Sequence, residues 1–331
     1  MSAKGGWLRR LKLDTSILLI LGMVLLASVA PARGAAEPVA DWAARIAIGI
    51  TFFLNGARLP REAVVAAFTH WRLHLTILAI TFVAFPVVSL GVANLPGWIV
   101  PVALAPGIIF LGCLPTTIQS AIGFTAIARG NVASAVASSS ASNLIAIAVT
   151  PLLAAALLHA EGGGLSARSV QGIVLQLLAP FLLGQLARPL IGAWVAKHAK
   201  RLTWVDRGSI LMVVYGAFSD AVVSGLWSQV SAADLARLVA ICTALLAFGF
   251  ALPWWAGKAL GFTPEDRIAI LFGGSNKSLA SGVPMAGVLF PAATVGFMVL
   301  PVMIYHQLQL MACAWLAQRY AERADKADEA R

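Results

Sequence analysis

The chain has 331 residues, 60% of them hydrophobic and 11% charged, with a net charge of +10. Soluble domains carry about 25% charged residues, so an ordinary soluble protein is excluded. The basic balance by itself would suit a nucleic-acid partner, but its distribution, at the ends of apolar spans for all but one residue, points to membrane topology instead.

Apolar windows of about 20 residues, the length that crosses a bilayer, recur from end to end. They predict an all-α integral membrane protein with ten spans, at 15–33, 43–59, 73–94, 98–126, 131–158, 170–190, 207–228, 233–256, 266–290 and 294–318. Span 1 follows Arg9 and Arg10 and ends near Ala27-Ser28-Val29-Ala30, which resembles a secretory signal. Removing it would leave nine spans and upset the charge balance, so it is expected to stay. With ten spans and a cytoplasmic N-terminus, the outer loops hold Arg33, Arg45, Arg168 and Arg237. Every other Lys and Arg except Lys277 falls on the inner side. This positive-inside pattern places both termini in the cytoplasm and the chain in the plasma (inner) membrane. A basic inner face also suits anionic lipid.

Span 2 carries Asn55, within Leu54-Asn55-Gly56-Ala57. Span 4 is interrupted by Pro106 and then by Gly112-Cys113-Leu114-Pro115-Thr116-Thr117. Span 5 has a small polar face of Ser138, Ser139, Ser140, Ser142 and Asn143. Span 7 contains Val214-Tyr215-Gly216-Ala217, similar to the span 2 segment, and Asp220, the one acidic residue well inside an expected span. Span 9 is interrupted by Gly273-Gly274-Ser275-Asn276-Lys277-Ser278, then by Gly282 and Pro284. Span 10 carries His306, Gln307 and Gln309. Cys113, Cys242 and Cys313 all lie in spans and have no metal-like or disulfide-like spacing.

Thr117-Ile118-Gln119-Ser120 in span 4 resembles Ser278-Leu279-Ala280-Ser281 in span 9, and this offset agrees with the Gly56 to Gly216 offset to within one residue. An offset of five spans turns the second half upside down, which is the inverted-repeat architecture of secondary transporters. The expected organisation is a first repeat at 1–158, an extracytoplasmic linker at 159–169, a second repeat at 170–320 and a cytoplasmic polar tail at 321–331. Pro removes a backbone donor and Gly eases non-helical dihedrals. Breaks at matching places in two halves point to a transporter's binding site. Pro and Gly are also ordinary in membrane helices, which is the bland alternative for either span alone.

Lys277 is the most informative residue. A lysine in hydrocarbon is costly and marks a functional site by default. It is expected to bind a substrate anion or to cycle a proton, against the alternative of a structural lysine paired with a neighbour. Asp220 is a candidate partner for it, a cation ligand or a proton carrier, against the alternative that it sits near the outer end of its helix.

Leu111 to Thr117, Ala128-Arg129-Gly130-Asn131, Gly273 to Ala280, Val283-Pro284-Met285-Ala286 and Tyr305 to Gln309 resemble the bile acid:sodium symporter superfamily. The likeness is closest to its bacterial SBF-like branch of sodium-dependent transporters related to the seventh human member of the family. It covers almost the whole chain. It implies panel and core domains, with discontinuous helices 4 and 9 crossing at their breaks. It also implies sodium ligands at the crossing and on helix 5; by position these are Thr116, Thr117, Gln119, Ser120, Ser139, Ser142, Asn143, Asn276 and Ser278, with Thr116, Thr117, Ser139 and Asn276 foremost. Ser275 and His306 complete the candidate ion- or substrate-binding set. The sequence departs from the pattern at Phe272-Gly273-Gly274, where sodium-coupled relatives carry a shared glutamate. Two like charges 4 Å apart repel by about 4 kcal/mol at an effective dielectric constant of 20. Either Lys277 stands in for one cation, or coupling uses protons, or no ion is coupled.

The expected function is secondary transport of a small organic anion by alternating access, with sodium as the candidate coupling ion and no other cofactor. No Walker motif is present, so ATP does not drive it directly. A membrane regulator that binds without flux is a second class. An intramembrane Ser-Lys hydrolase using Ser275 or Ser278 is a third and weaker one, lacking a Gly-x-Ser-x-Gly elbow or a second buried carboxylate. A thiol role for Cys113, as in arsenite-exporting members of the superfamily, is a minor alternative to plain packing.

Overall fold

The computed structural model describes residues 15–58, 70–158, 172 and 174–329, and every regular element among them is a helix. The basic N-terminal stretch, Arg61, the linker 159–169 with Arg168, and Arg331 lie outside the described residues.

Helix α1 spans Thr15–Val29 and α2 spans Ala36–Arg58. Helix α3 runs over Trp71–Ala93 and widens into a π-turn at Ile80–Ala84. The widening sits just before Pro86, which has no N–H to continue the ladder. Helices α4 (Ala105–Cys113) and α5 (Ile118–Ile127) are the halves of span 4, bent by 63°. Between them Leu114 and Thr117 are extended around Pro115. Helix α6 spans Val132–Leu158.

In the second half, a π-turn at Val174–Leu178 leads into α7 (Ala179–Lys197), followed by α8 (Ala199–Val223) and the short α9 (Leu226–Gln229). Ser231 opens α10 (Ala232–Ala259) with a capping box to Asp234. Thr263 caps α11 (Pro264–Ser275) through the Asp266 N–H. Asn276 and Ser278 are extended, and Ser278 caps α12 (Leu279–Leu289). Helix α13 runs from Ala292 to Glu329.

Among the described residues, five helices are long and apolar enough to cross a bilayer: Trp71–Ala93, Val132–Leu158, Leu175–Lys197, Ala232–Ala259 and Ala292–Lys326; the bent α4–α5 pair, taken as one span, makes a sixth. The remaining expected spans coincide with α1, α2, α8 and the α11–α12 pair. α1 is 15 residues long, α11 is 12 and α12 is 11. α2 and α8 are interrupted by charges: Glu37, Asp41, Arg45 and Arg58 on one, Lys200, Arg201, Asp206, Arg207 and Asp220 on the other. The stretch expected as a polar tail is helical through Glu329, as a continuation of α13. Its Ala, Glu, Lys and Arg content favours helix whatever its polarity.

Helices α1, α2, α7 and α8 form one group, in which α2 packs on α7 and α8, and α1 on α8. A second group holds α3, α4, α5, α6, α10, α11 and α13; α8 joins the two through α13 and α12. The α2–α7 contact is reciprocal. A Cβ on Gly56 would lie 2.1 Å from Phe181 O, and one on Gly184 would lie 2.0 Å from Phe53 O. Neither backbone can yield without parting the helices. Gly56→Ala and Gly184→Ala are each expected to cost about 1–3 kcal/mol, the range for overpacking. Thermal unfolding in detergent checks this, with Gly49→Ala in the same helix as a neutral control because nothing lies within 4 Å of its added carbon.

Candidate functional site

The two breaks meet. The Ser278 N–H donates to Pro115 O at 2.8 Å, joining the α11–α12 link to the α4–α5 link. A crossing of this kind brings together two helix C-termini, with orphan carbonyls, and two helix N-termini, with orphan N–H groups.

The chain satisfies the negative ends itself. Lys277 is fully buried, and its Nζ donates to Thr81 O at 3.0 Å, Gly112 O at 2.7 Å and Leu114 O at 2.9 Å. The ammonium also lies 4.3 Å from the centroid of the Phe85 ring. At the end of α11, Ser275 O accepts from the Tyr305 hydroxyl at 2.8 Å. The Lys277 peptide is held on both sides by Gln309. Its N–H donates to Gln309 Oε1 at 2.8 Å, and its carbonyl accepts from Gln309 Nε2 at 3.0 Å. His306 Nδ1 lies 3.2 Å from the same carbonyl and 2.9 Å from Gln309 Nε2, and Gln309 Nε2 is 3.4 Å from Thr117 Oγ1.

The polar face of α6 covers the break in span 4. The Thr116 N–H donates to Ser142 Oγ at 3.2 Å, and Thr116 O accepts from Asn143 Nδ2 at 2.8 Å. Asn143 Oδ1 in turn accepts from the Ser281 hydroxyl at 2.8 Å, which ties α6 to the first turn of α12. Thr116 Oγ1 and Ser139 Oγ are buried with no hydrogen-bond partner among the described residues.

The positive ends face a cavity of about 590 Å³. One wall comes from α1, α2 and α8, with Leu19, Ile20, Thr51, Asn55, Ile210 and Leu211. The other comes from α5, α6, α12 and α13, with Thr117 to Ser120, Ser140, Asn143, Ser278 to Ser281 and His306. Arg58, Asp206 and Arg207 also line it, with Arg58 and Asp206 joined as an ion pair. Among the described residues, the first turn of α5 has no side-chain cap, and Ser120 Oγ is buried there with no partner.

The predicted residues therefore divide. Thr117, Gln119, Ser120, Asn143, Ser278 and His306 share the cavity; Thr116, Ser139, Ser275 and Asn276 pack behind it. Asn276 Oδ1 accepts from the Cys313 thiol at 3.4 Å, and its Nδ2 has no partner among the described residues. Three expectations need correction. Lys277 does not line the cavity, because its Nζ is turned toward the carbonyls of α3 and α4. Asp220 is not its partner: Nζ donates to three backbone carbonyls, and Asp220 instead feels the like charges of Asp41 and Glu37 at the start of α2. Nor is there a Ser-Lys pair, since the Ser278 hydroxyl bonds Ser281 Oγ at 3.1 Å and Nζ spends its donors on carbonyls. Sequence reasoning missed Thr81 and Phe85, for which Pro86 in span 3 was the available signal. It also missed the Arg58–Asp206 pair, for which the sequence offered none.

The SBF-like CPA transporter family model matches residues 14–322. A protein of Pseudomonas aeruginosa named as uncharacterized is 50% identical over 315 residues, covering 95% of each chain. The Escherichia coli K12 protein YfeH, provisionally named a symporter, is 47% identical over 318 residues, again covering 95% of each. Sodium/bile acid cotransporter 7 of Rattus norvegicus is 27% identical over 278 residues, covering 80% of this chain and 79% of its own.

Proposed function

The chain belongs to the SBF-like CPA transporter family, and on that premise we propose that it moves a small organic anion across the membrane through the cavity between its two helix groups. One observation carries the choice of anion. The chain neutralises the carbonyl ends at the crossing with Lys277 and Tyr305, and leaves the N-terminal ends of α5 and α12 facing the cavity. Those ends favour negative charge. The apolar walls suit an amphipathic anion, and a cavity of this size lies within the range of about 300–1,000 Å³ common for small-molecule sites. The same reading gives ten spans in two inverted five-helix repeats, 1–158 and 170–320, an inner-membrane location and cytoplasmic termini. The matched breaks and the charge pattern support it. Helices α1, α2, α7 and α8 are the panel, and the group around the breaks is the core.

Uptake of labelled organic carboxylates and sulfonates into proteoliposomes tests this. Saturable flux, absent from empty vesicles, is the expected result; binding without flux would favour the regulator reading instead. Sodium coupling is a second reading, favoured by the unpartnered hydroxyls of Thr116 and Ser139 beside the break. Replacing sodium with choline in the same vesicles separates the two.

A further inference from the structure

We propose that the Lys277 ammonium is a tethered cation: it fills a cage of backbone carbonyls whose chemistry suits a free monovalent cation, and so removes the need for one at that point. The inference draws on the transporter reading only for this last consequence; the cage itself stands on geometry.

Each wall of the cage is a carbonyl that the helices release. In an unbroken α-helix, Thr81 O would accept from the Phe85 N–H. The π-turn diverts that N–H to Ile80 O. In the wider π register the next donor would be residue 86, which is Pro86 and has none. Thr81 O is therefore free for Nζ. Gly112 O would accept from the Thr116 N–H, but that group donates to Ser142 Oγ instead. Leu114 is extended beyond the end of α4, and its carbonyl also turns to Nζ. Three carbonyls thus converge on one point, roofed by the face of Phe85.

Converging carbonyl oxygens are the ligands that hard cations take, and rings of them replace the hydration shell of monovalent ions in selective pores. A lysine ammonium has three donors and no acceptor, so it matches three carbonyls one for one. The cage is sealed from the substrate cavity, since Lys277 is fully buried and is absent from the cavity lining. That geometry does not suit an anion ligand. It suits a fixed countercharge to the C-terminal end of α4.

The test shortens the tether and supplies the ion. Lys277→Ser opens the cage, and Lys277→Met fills it without charge. Thermal unfolding of wild type and both variants would be followed in sodium, potassium, ammonium, methylammonium or choline chloride at equal ionic strength. The expected result is that Lys277→Ser is stabilised, relative to choline, by about 4 °C or more by at least one of the small cations, with saturation. Lys277→Met and wild type lack that increment, so a sodium site elsewhere is distinguished by acting on all three proteins. If Lys277→Ser cannot be purified in choline, recovery of monodisperse protein in a small cation is the supporting result. Equal behaviour in all five salts, or equal failure in all five, overturns the proposal. None of these outcomes depends on flux, so the transport reading stands or falls separately.

Discussion

Gln309→Leu is expected to lower the unfolding temperature more than any other neutral substitution on α13. Gln309 is fully buried, and its amide satisfies both the N–H and the carbonyl of Lys277. Leucine has about the right volume but neither donor nor acceptor. The substitution leaves the Lys277 N–H without its partner and leaves His306 Nδ1, at 3.2 Å, as the remaining neighbour of the carbonyl. The loss expected is therefore about 1–3 kcal/mol, large against a total stability of about 5–15 kcal/mol. It should also loosen the cage indirectly, because the Lys277 backbone positions the ammonium. Gln309→Glu separates the two effects. It keeps an acceptor for the Lys277 N–H, loses the donor to the Lys277 carbonyl, and should fall between wild type and Gln309→Leu. Thermal melts of the three proteins in one detergent check the order. If Gln309→Leu is as stable as wild type, the clamp is a packing coincidence.

The sequence made the centre of this molecule legible and left its orientation obscure. Pro115 and the Gly273-Gly274 pair announce two helix breaks, and a lysine beside one of them marks the place. The direction of the Lys277 side chain was not readable, because it depends on Thr81, whose carbonyl is released by Pro86 in a different span. A proline in an apolar run signals a disturbed ladder but not which carbonyl is freed or what takes it. Asp220 shows another limit. Counting along a span places it inside the apolar length, yet Glu37 and Asp41 share its end of the molecule, and depth follows from how α2 and α8 pack. Residues 321–329 show a third. Their polarity suggested a tail, while their residue types continue α13, and Asp325 pairs with Arg129 at the end of α5. Arg129 holds a positive φ of 57° there, and the next residue, Gly130, packs on Ile268 too closely for any side chain.

Ala280→Asp is expected to abolish anion transport while sparing the fold. Ala280 is the second residue of α12 and lines the cavity. An aspartate in the first turn of a helix is favourable, by about 0.3–1 kcal/mol, so stability should hold or rise slightly. The same carboxylate would stand where the N-termini of α5 and α12 face the substrate. At 4 Å and an effective dielectric constant of 20, it would repel a bound anion by about 4 kcal/mol. That corresponds to about a thousandfold loss of affinity. Ala280→Asn, similar in size and neutral, should retain most of the flux, which separates charge from bulk. The pair also discriminates between substrate classes. A cationic substrate would bind Ala280→Asp more tightly than wild type, and saturable flux would then survive or increase. Proteoliposome uptake measured for the two variants beside wild type, with melting temperatures on the same preparations, therefore reads the sign of the substrate's charge directly from the protein.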